Sequence, residues 1–110
     1  MQCPDWCTAT HDDHVATWVH ETLVASVDSA GVFTYARQWE NREYGPETPS
    51  VRAFARQGKT STGVDLDAGG ARTVAQIVEN LGHGTAADHR AFADALRANA
   101  ELIDPEAEAS

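Results

Sequence analysis

Apolar and polar residues alternate over much of the first half of the chain, a pattern typical of β-strands. Residues 14–27 are rich in Val, Thr and Trp and contain neither Gly nor Pro, which predicts one extended strand. After a turn at 28–31, the segment 32–39 places aromatic residues at even spacing, as one face of a strand requires: Phe33, Tyr35 and Trp39. The simplest partner for this second strand is the first, so we expect a hairpin.

A second, weaker alternation follows in the middle of the chain. Residues 50–56 and 60–66 are predicted strands joined by a turn at 57–59, which makes a second hairpin. Between the two hairpins, residues 40–50 contain two prolines, a glycine and several charges. This composition predicts a loop.

From residue 67 onwards apolar residues recur three and four positions apart, which indicates helices. Asp67 is the predicted N-cap of the first helix, whose apolar stripe is Ala71, Val74, Ile77, Val78 and Leu81. Thr85 is the predicted N-cap of the second helix, which ends at Asp104 and whose stripe is Phe92, Ala95, Leu96, Asn99 and Ile103. The expected fold is therefore α+β: a small antiparallel sheet of three to four strands in two hairpins, packed by two carboxy-terminal helices. We expect the first helix to cover the sheet and the second to lie against a partner.

The length of 110 residues suits one domain, which we place at residues 1–104, followed by a flexible acidic tail at 105–110. The 17 acidic residues outnumber the 8 Lys and Arg, and the formal charge of −9 disfavours nucleic acid and anionic membranes as partners. No apolar run approaches the roughly 18 residues needed to cross a bilayer. The opening MQCPDWC lacks the basic and apolar regions of a secretory signal, so we expect a cytoplasmic protein with reduced cysteines.

The amino-terminal stretch CPDWCTATHDDH concentrates thiols and imidazoles, and one more histidine follows on the first predicted strand. The candidate ligands are Cys3, Cys7, His11, His14 and His20. Two thiolates and two imidazoles make up a closed, tetrahedral structural zinc site, so we predict a zinc knuckle within residues 1–20. The alternatives are free buried cysteines and a disulfide between the two cysteines, the latter only in an oxidising or redox-active setting.

The fourth ligand is a choice between two histidines. If residues 5–12 form a helical turn, Cys7 and His11 lie on one face, where both can bind one ion. If that helix continues, His14 lies roughly 10 Å along the axis from Cys7, too far from an ion about 2 Å from each ligand. His20 returns on the first strand and ties the knuckle to the sheet, so it is favoured. A bend after residue 12 keeps His14 as the alternative.

The run CPDWC at residues 3–7, with His11 four residues further on, resembles the opening of a family of small actinobacterial and actinophage proteins of uncharacterised function. Members of that family open with Cys-Pro-x-Trp-Cys-x-x-x-His. Residues 66–72, LDAGGAR, resemble the start of the family's helix, although Gly70 stands where an acidic residue is usual. The resemblance extends over about residues 1–81. It implies a zinc knuckle followed by strands and a helix, and it implies no activity.

The sequence contains no motif of the common catalytic sites: no glycine-rich phosphate loop, no Gly-x-Ser-x-Gly elbow and no His-Glu-x-x-His pair. Asp12, Asp13 and Glu21 are close in sequence to the predicted ligands and leave a hydrolytic metal site open. Two thiolates with two imidazoles more commonly close the metal shell. We therefore predict a non-enzymatic module that binds a protein partner or a second copy of itself. The alternative is a small metal-dependent or thiol-redox enzyme.

Overall fold

The structure is a computed structural model that describes residues 3–27, 31–81 and 86–106. It confirms the predicted α+β class, because an antiparallel sheet precedes two carboxy-terminal helices. The strands are β1 (Thr17–Glu21), β2 (Ala25–Val27), β3 (Val32–Asn41), β4 (Gly45–Pro46), β5 (Ser50–Gln57) and β6 (Thr60–Leu66), and the helices are α1 (Ala68–Glu79) and α2 (Ala86–Ile103). The sheet order is β1-β3-β5-β6, and the short strands β2 and β4 also pair with β3.

The prediction of one continuous strand over residues 14–27 is wrong, because this segment breaks into β1 and β2. At the break, the Thr22 hydroxyl accepts the Ala36 N–H at 2.9 Å, and the Thr22 N–H donates to the Ala36 oxygen at 3.1 Å. The Thr22 side chain thus takes the place of a backbone carbonyl as the acceptor for the Ala36 N–H. The neighbouring Leu23 is 79% exposed. Both pieces still pair antiparallel with β3, so the first hairpin is present in two parts.

The predicted loop over residues 40–50 is partly wrong, because β3 continues to Asn41 and β4 lies within this segment. Glu40 is therefore a strand residue, opposite Trp18 of β1 and only 9% exposed. The turn that follows is held by the Asn41 side-chain oxygen, which accepts the N–H groups of Glu43 and Tyr44 at 2.8 and 3.1 Å. An acidic side chain is consequently buried at the end of β3.

The second predicted hairpin is confirmed as β5 and β6, joined at Gly58 and Lys59. Gly58 has a φ of 60°, which glycine adopts at little cost. Gly31, before β3, also has a positive φ, 65°, and a Cβ at this position would lie 2.8 Å from the Arg56 oxygen. Space as well as backbone conformation therefore requires glycine at residue 31.

One face of the sheet forms the core together with α2. The buried strand residues on this face are Thr34, Ala36, Val51 and Ala53. Leu96 of α2 is fully buried in the same cluster, and Asn99 donates from Nδ2 to Thr34 Oγ1 at 3.3 Å. The face of α2 expected to bind a partner is therefore occupied by the sheet of its own chain.

The two helices have the reverse of the roles expected of them. It is α2 that covers the sheet, while α1 packs mainly on α2. The buried residues of α1 are Ala68, Ala71 and Ala75. The larger Ile77 of the predicted stripe is 59% exposed. Small side chains let two helices approach closely, so α1 packs chiefly through its alanine row, with Val74 partly buried against the same core cluster.

The predicted start of α1 and the predicted end of α2 are confirmed. Asp67 Oδ1 accepts the Gly70 N–H at 2.6 Å, as an N-cap does, and α2 ends at Ile103. An ion pair between Glu79 and Arg97, with one bond of 2.8 Å, joins the two helices at the surface. Neither helix is long and apolar enough, over its described residues, to cross a membrane. The predicted turn residues 28–30, the predicted N-cap Thr85 and the tail residues 107–110 lie outside the described residues.

The opposite face of the sheet carries no helix within the part of the chain that the structure describes. On this face Phe33 and Phe54 stack with ring centroids 4.9 Å apart. Arg37 and Arg52 both pair with Asp65 of β6, at 3.1 and 3.2 Å. The outer face is thus held by an aromatic contact between β3 and β5 and by charged contacts that reach Asp65 of β6 from both β3 and β5.

Candidate metal centre

The amino-terminal segment forms a turn and then runs beside the sheet. The Cys7 N–H donates to the Pro4 oxygen at 3.0 Å, which closes the turn between these two residues. The Thr8 N–H then donates to the backbone carbonyl oxygen of Glu21 at 2.9 Å, which attaches the segment to β1. The helical turn considered over residues 5–12 does not form, because the backbone of Thr8 bonds to β1 and not along a helix.

Four of the five predicted ligands come together beside β1. Cys3, Cys7, His11 and His20 each offer one ligand atom, and these four atoms all lie within 4.8 Å of one another. Cys7 Sγ and His11 Nε2 are 3.4 Å apart. Zinc bonds of about 2.0–2.3 Å in a tetrahedron place neighbouring ligand atoms about 3.3–3.8 Å apart. The group therefore has the composition of a tetrahedral zinc site and needs a contraction of about 1 Å at its widest pair.

His20 is the most deeply buried of the four donors and has no exposed surface. Its Nε2 lies 2.8 Å from Glu40 Oε1. Because an ionised carboxylate only accepts hydrogen bonds, Nε2 carries a proton, and in the neutral imidazole Nδ1 then presents a lone pair. Nδ1 is buried and has no hydrogen-bond partner among the described residues. Buried polar atoms are nearly always satisfied, so His20 Nδ1 lacks the partner that a metal ion would supply.

Trp18 of β1 holds the ring of His11. The two rings stack with centroids 4.3 Å apart and an interplanar angle of 7°. The Trp18 indole N–H donates to the backbone carbonyl oxygen of Asp12 at 2.9 Å. His20 meets both rings edge-on, 4.9 Å from His11 and 6.0 Å from Trp18. This packing restricts the rotation of His11 and keeps its ring beside the other donors.

The two thiols lie towards solvent, and both are free. Cys3 is exposed and Cys7 is half-buried. The pKa of the Cys3 thiol is raised above its ordinary value of 9.0, chiefly by partial desolvation and then by the hydrogen bond and charge of Cys7. A divalent cation between the two sulfurs reverses this effect, because its charge favours both thiolates.

The fifth predicted ligand, His14, lies outside this group. It is exposed, and its N–H donates to Asp12 Oδ1 at 2.9 Å within a local turn. Asp12, Asp13 and Glu21, considered as acids for a hydrolytic site, are also outside the group. Over the described ranges, no second group of three or more His, Cys, Asp or Glu side chains is close enough to hold an ion.

One residue of the centre is not predicted from the sequence, Glu40 as the partner of His20. A signal for Glu40 exists in the alternation of β3. Glu40 has the same parity as the buried Thr34 and Ala36, so it lies on the inner face of the strand, where an acidic side chain requires a partner.

Comparisons with known proteins find no relative of this chain. No protein-family model matches it, and neither a curated protein nor a solved structure matches it. The resemblance of the CPDWC motif to the actinobacterial and actinophage family therefore stays a prediction. The chemistry of the centre rests on the geometry of its own residues.

Proposed function

We propose that this chain is a zinc-stapled, non-enzymatic domain that works in the cytoplasm by binding another protein or a second copy of itself. The observation that carries the proposal is the four-donor group of Cys3, Cys7, His11 and His20, together with the buried His20 Nδ1, which has no hydrogen-bond partner among the described residues. Two thiolates and two imidazoles in a tetrahedral arrangement suit zinc better than the harder divalent metals. Membership in the family that the amino-terminal motif resembles is part of this proposal.

The number of donors favours a structural over a catalytic metal. Four protein ligands fill a tetrahedral shell, whereas a catalytic zinc keeps one position for water or substrate. The buried carboxylate of Glu40 bonds to the ring of His20, which is the place of a residue that orients a ligand. A metal whose coordination shell is filled by four side chains has no open position for a substrate, which supports a binding role over a catalytic one.

The metal would join the amino-terminal segment to the sheet. Zinc supplies strong coordinate bonds between Cys3, Cys7 and His11 on one side and His20 of β1 on the other. Structural zinc contributes on the order of 10 kcal/mol in small zinc domains, so its removal should loosen this segment. The helix and sheet core around Leu96 is separate from the donors and should keep its structure.

Metal analysis of the purified protein tests the proposal directly. We expect one zinc per chain, and an X-ray absorption spectrum of two sulfur and two nitrogen ligands. Cys3→Ser and His14→Ala form a matched pair, because both residues are exposed and only Cys3 belongs to the donor group. Cys3→Ser should weaken zinc binding, whereas His14→Ala should retain it.

His20→Ala compares the two candidate fourth ligands. This variant should lose zinc affinity while His14→Ala does not, and circular dichroism checks that the buried substitution leaves the fold intact. Wild-type protein without zinc, with a melting curve that chelation does not change, would contradict the proposal. Loss of zinc in His14→Ala with retention in His20→Ala would assign the fourth ligand to His14.

A further inference from the structure

Strand β6 is a free edge of the sheet. Within the part of the chain that the structure describes, it pairs only with β5, on one side. Six of its seven residues are exposed, all except Leu66. The unpaired N–H and C=O groups of such an edge are a template for another strand.

The direction of these free groups follows from the hydrogen bonds of β5. The Arg56 N–H donates to the Gly31 oxygen at 2.8 Å, so the backbone groups of Arg56 face β3. Bonding alternates along an antiparallel strand, so Phe54 and Arg52 also face β3, and the residues between them face β6. The β6 residues opposite these three consequently turn their N–H and C=O groups outward: Ser61, Gly63 and Asp65.

The devices that usually block an edge are missing from β6. It contains no Pro, Lys or Arg, and its one charged residue, Asp65, is held on the outer face by Arg37 and Arg52. The other edge of the sheet differs. Strand β1 has only five residues, and the Glu21 oxygen at its end already accepts the Thr8 N–H.

We infer that two copies of this chain join along β6 as an antiparallel pair, with the two-fold axis at Gly63. The inference rests on the interaction role proposed above, for which it names the partner. In this register each outward N–H meets an outward C=O of the other copy. Ser61 faces Asp65 of the second copy, and Val64 faces Thr62, so no like charges stand opposite each other.

Charge opposes a second copy less at this edge than over most of the surface. Each chain carries a formal charge of −9, so two copies repel each other over most of their surfaces. The strip Thr60–Val64 is uncharged, so the repulsion between two copies is weakest where this strip meets its counterpart in the second copy.

An apolar groove beside the edge adds contact area. Val64 is 52% exposed and borders a groove of about 250 Å³ on the α2 side of the sheet. The groove is also lined by Val32, Ala53 and Phe92. Thr62 of the second copy would cover Val64 beside this groove. Because the β1 edge is short and partly covered, pairing stops at two copies and does not continue into a fibre.

Sedimentation equilibrium over a micromolar concentration range tests the inference. The wild-type mass should rise from 11.8 kDa towards twice that value. Ser61→Pro removes an outward N–H without removing a bond to β5, and Ser61→Ala is its matched control. We expect Ser61→Pro to stay at 11.8 kDa with an unchanged circular dichroism spectrum, while Ser61→Ala dimerises like the wild type.

Val64→Lys is a second variant in case the proline disturbs the strand. It places two positive charges near the two-fold axis and should abolish the dimer, whereas Val64→Thr should not. A wild type that stays at 11.8 kDa throughout, or a dimer that survives both Ser61→Pro and Val64→Lys, would overturn the inference. Zinc content measured on the same samples separates the two proposals. A zinc-loaded monomer overturns edge pairing alone, and a zinc-free dimer supports edge pairing while contradicting the zinc site.

Discussion

Replacing Glu40 by Gln should weaken zinc binding about tenfold, although Glu40 is not itself a donor. Its Oε1 lies 2.8 Å from His20 Nε2, and both side chains are buried. A metal ion on Nδ1 draws charge from the ring, so the bond from Nε2 to the carboxylate strengthens from an ordinary to a charge-assisted one. That gain is roughly 1–1.5 kcal/mol. Glutamine keeps the size and an acceptor oxygen but cannot supply the gain, and about 1.4 kcal/mol is a factor of ten in affinity.

Competition against a chromogenic chelator measures the zinc affinity of each variant. Glu43→Gln is the matched control, because it makes the same charge change at an exposed position three residues away. Circular dichroism of the metal-free proteins reports separately on the fold. Equal zinc affinities for Glu40→Gln and the wild type would refute the reasoning, because the carboxylate would then have no effect on the metal through His20.

Three further changes test the packing and the surface charges. Leu96→Ala should lower the free energy of unfolding in urea by about 2–5 kcal/mol, since Leu96 is fully buried; a negligible loss would place α2 outside the core. Gly31→Ala should lower the free energy of unfolding more than Gly58→Ala. Both glycines have a positive φ, but only at Gly31 would the added Cβ meet a carbonyl oxygen, at 2.8 Å. Equal losses of stability in the two variants would show that backbone conformation alone is the cause. The pKa of Glu79 is lowered below its ordinary value of 4.5, first by its hydrogen bond from Arg97 of α2. The ion pair therefore contributes its full stabilisation above pH 4.5, and this contribution is lost as the pH falls through the lowered pKa. The unfolding free energies of wild type and Glu79→Gln should therefore converge in acid, and a constant difference down to low pH would contradict this assignment.

Local patterns predict those parts of the fold that a single local interaction decides. The N-cap at Asp67 and the apolar spacing after it predict α1, and alternation predicts that the inner and outer faces of β3 differ. Which helix covers the sheet depends on the fit of several surfaces at once. Ile77 suits a core by its residue type, yet it is exposed, because the alanines of α1 allow a closer approach to α2.

The candidate ligands follow from residue type and crowding, but their surroundings do not. Glu40 reaches His20 only in the register that sets Trp18 opposite Glu40 and His20 opposite Gln38. Register between segments some twenty residues apart is decided by packing over the whole sheet. The break at Thr22 has a similar origin, because its hydroxyl competes for a backbone N–H that is present only once β3 lies beside it.

The closeness of the four donors along the chain has a consequence for the order of folding. Successive donors stand at residues 3, 7, 11 and 20, whereas Glu40 comes from a later strand. Short loops close at low entropic cost, in about 10–100 ns for a loop of roughly ten residues, while strand pairing is slower. Zinc present when refolding starts can therefore gather the amino-terminal segment before the sheet exists, and β1 then meets β3 already attached to it. In kinetic terms the ion would act as a folding nucleus for the amino-terminal segment. Stopped-flow refolding should therefore be faster with zinc added at the start than with zinc added after the sheet has formed.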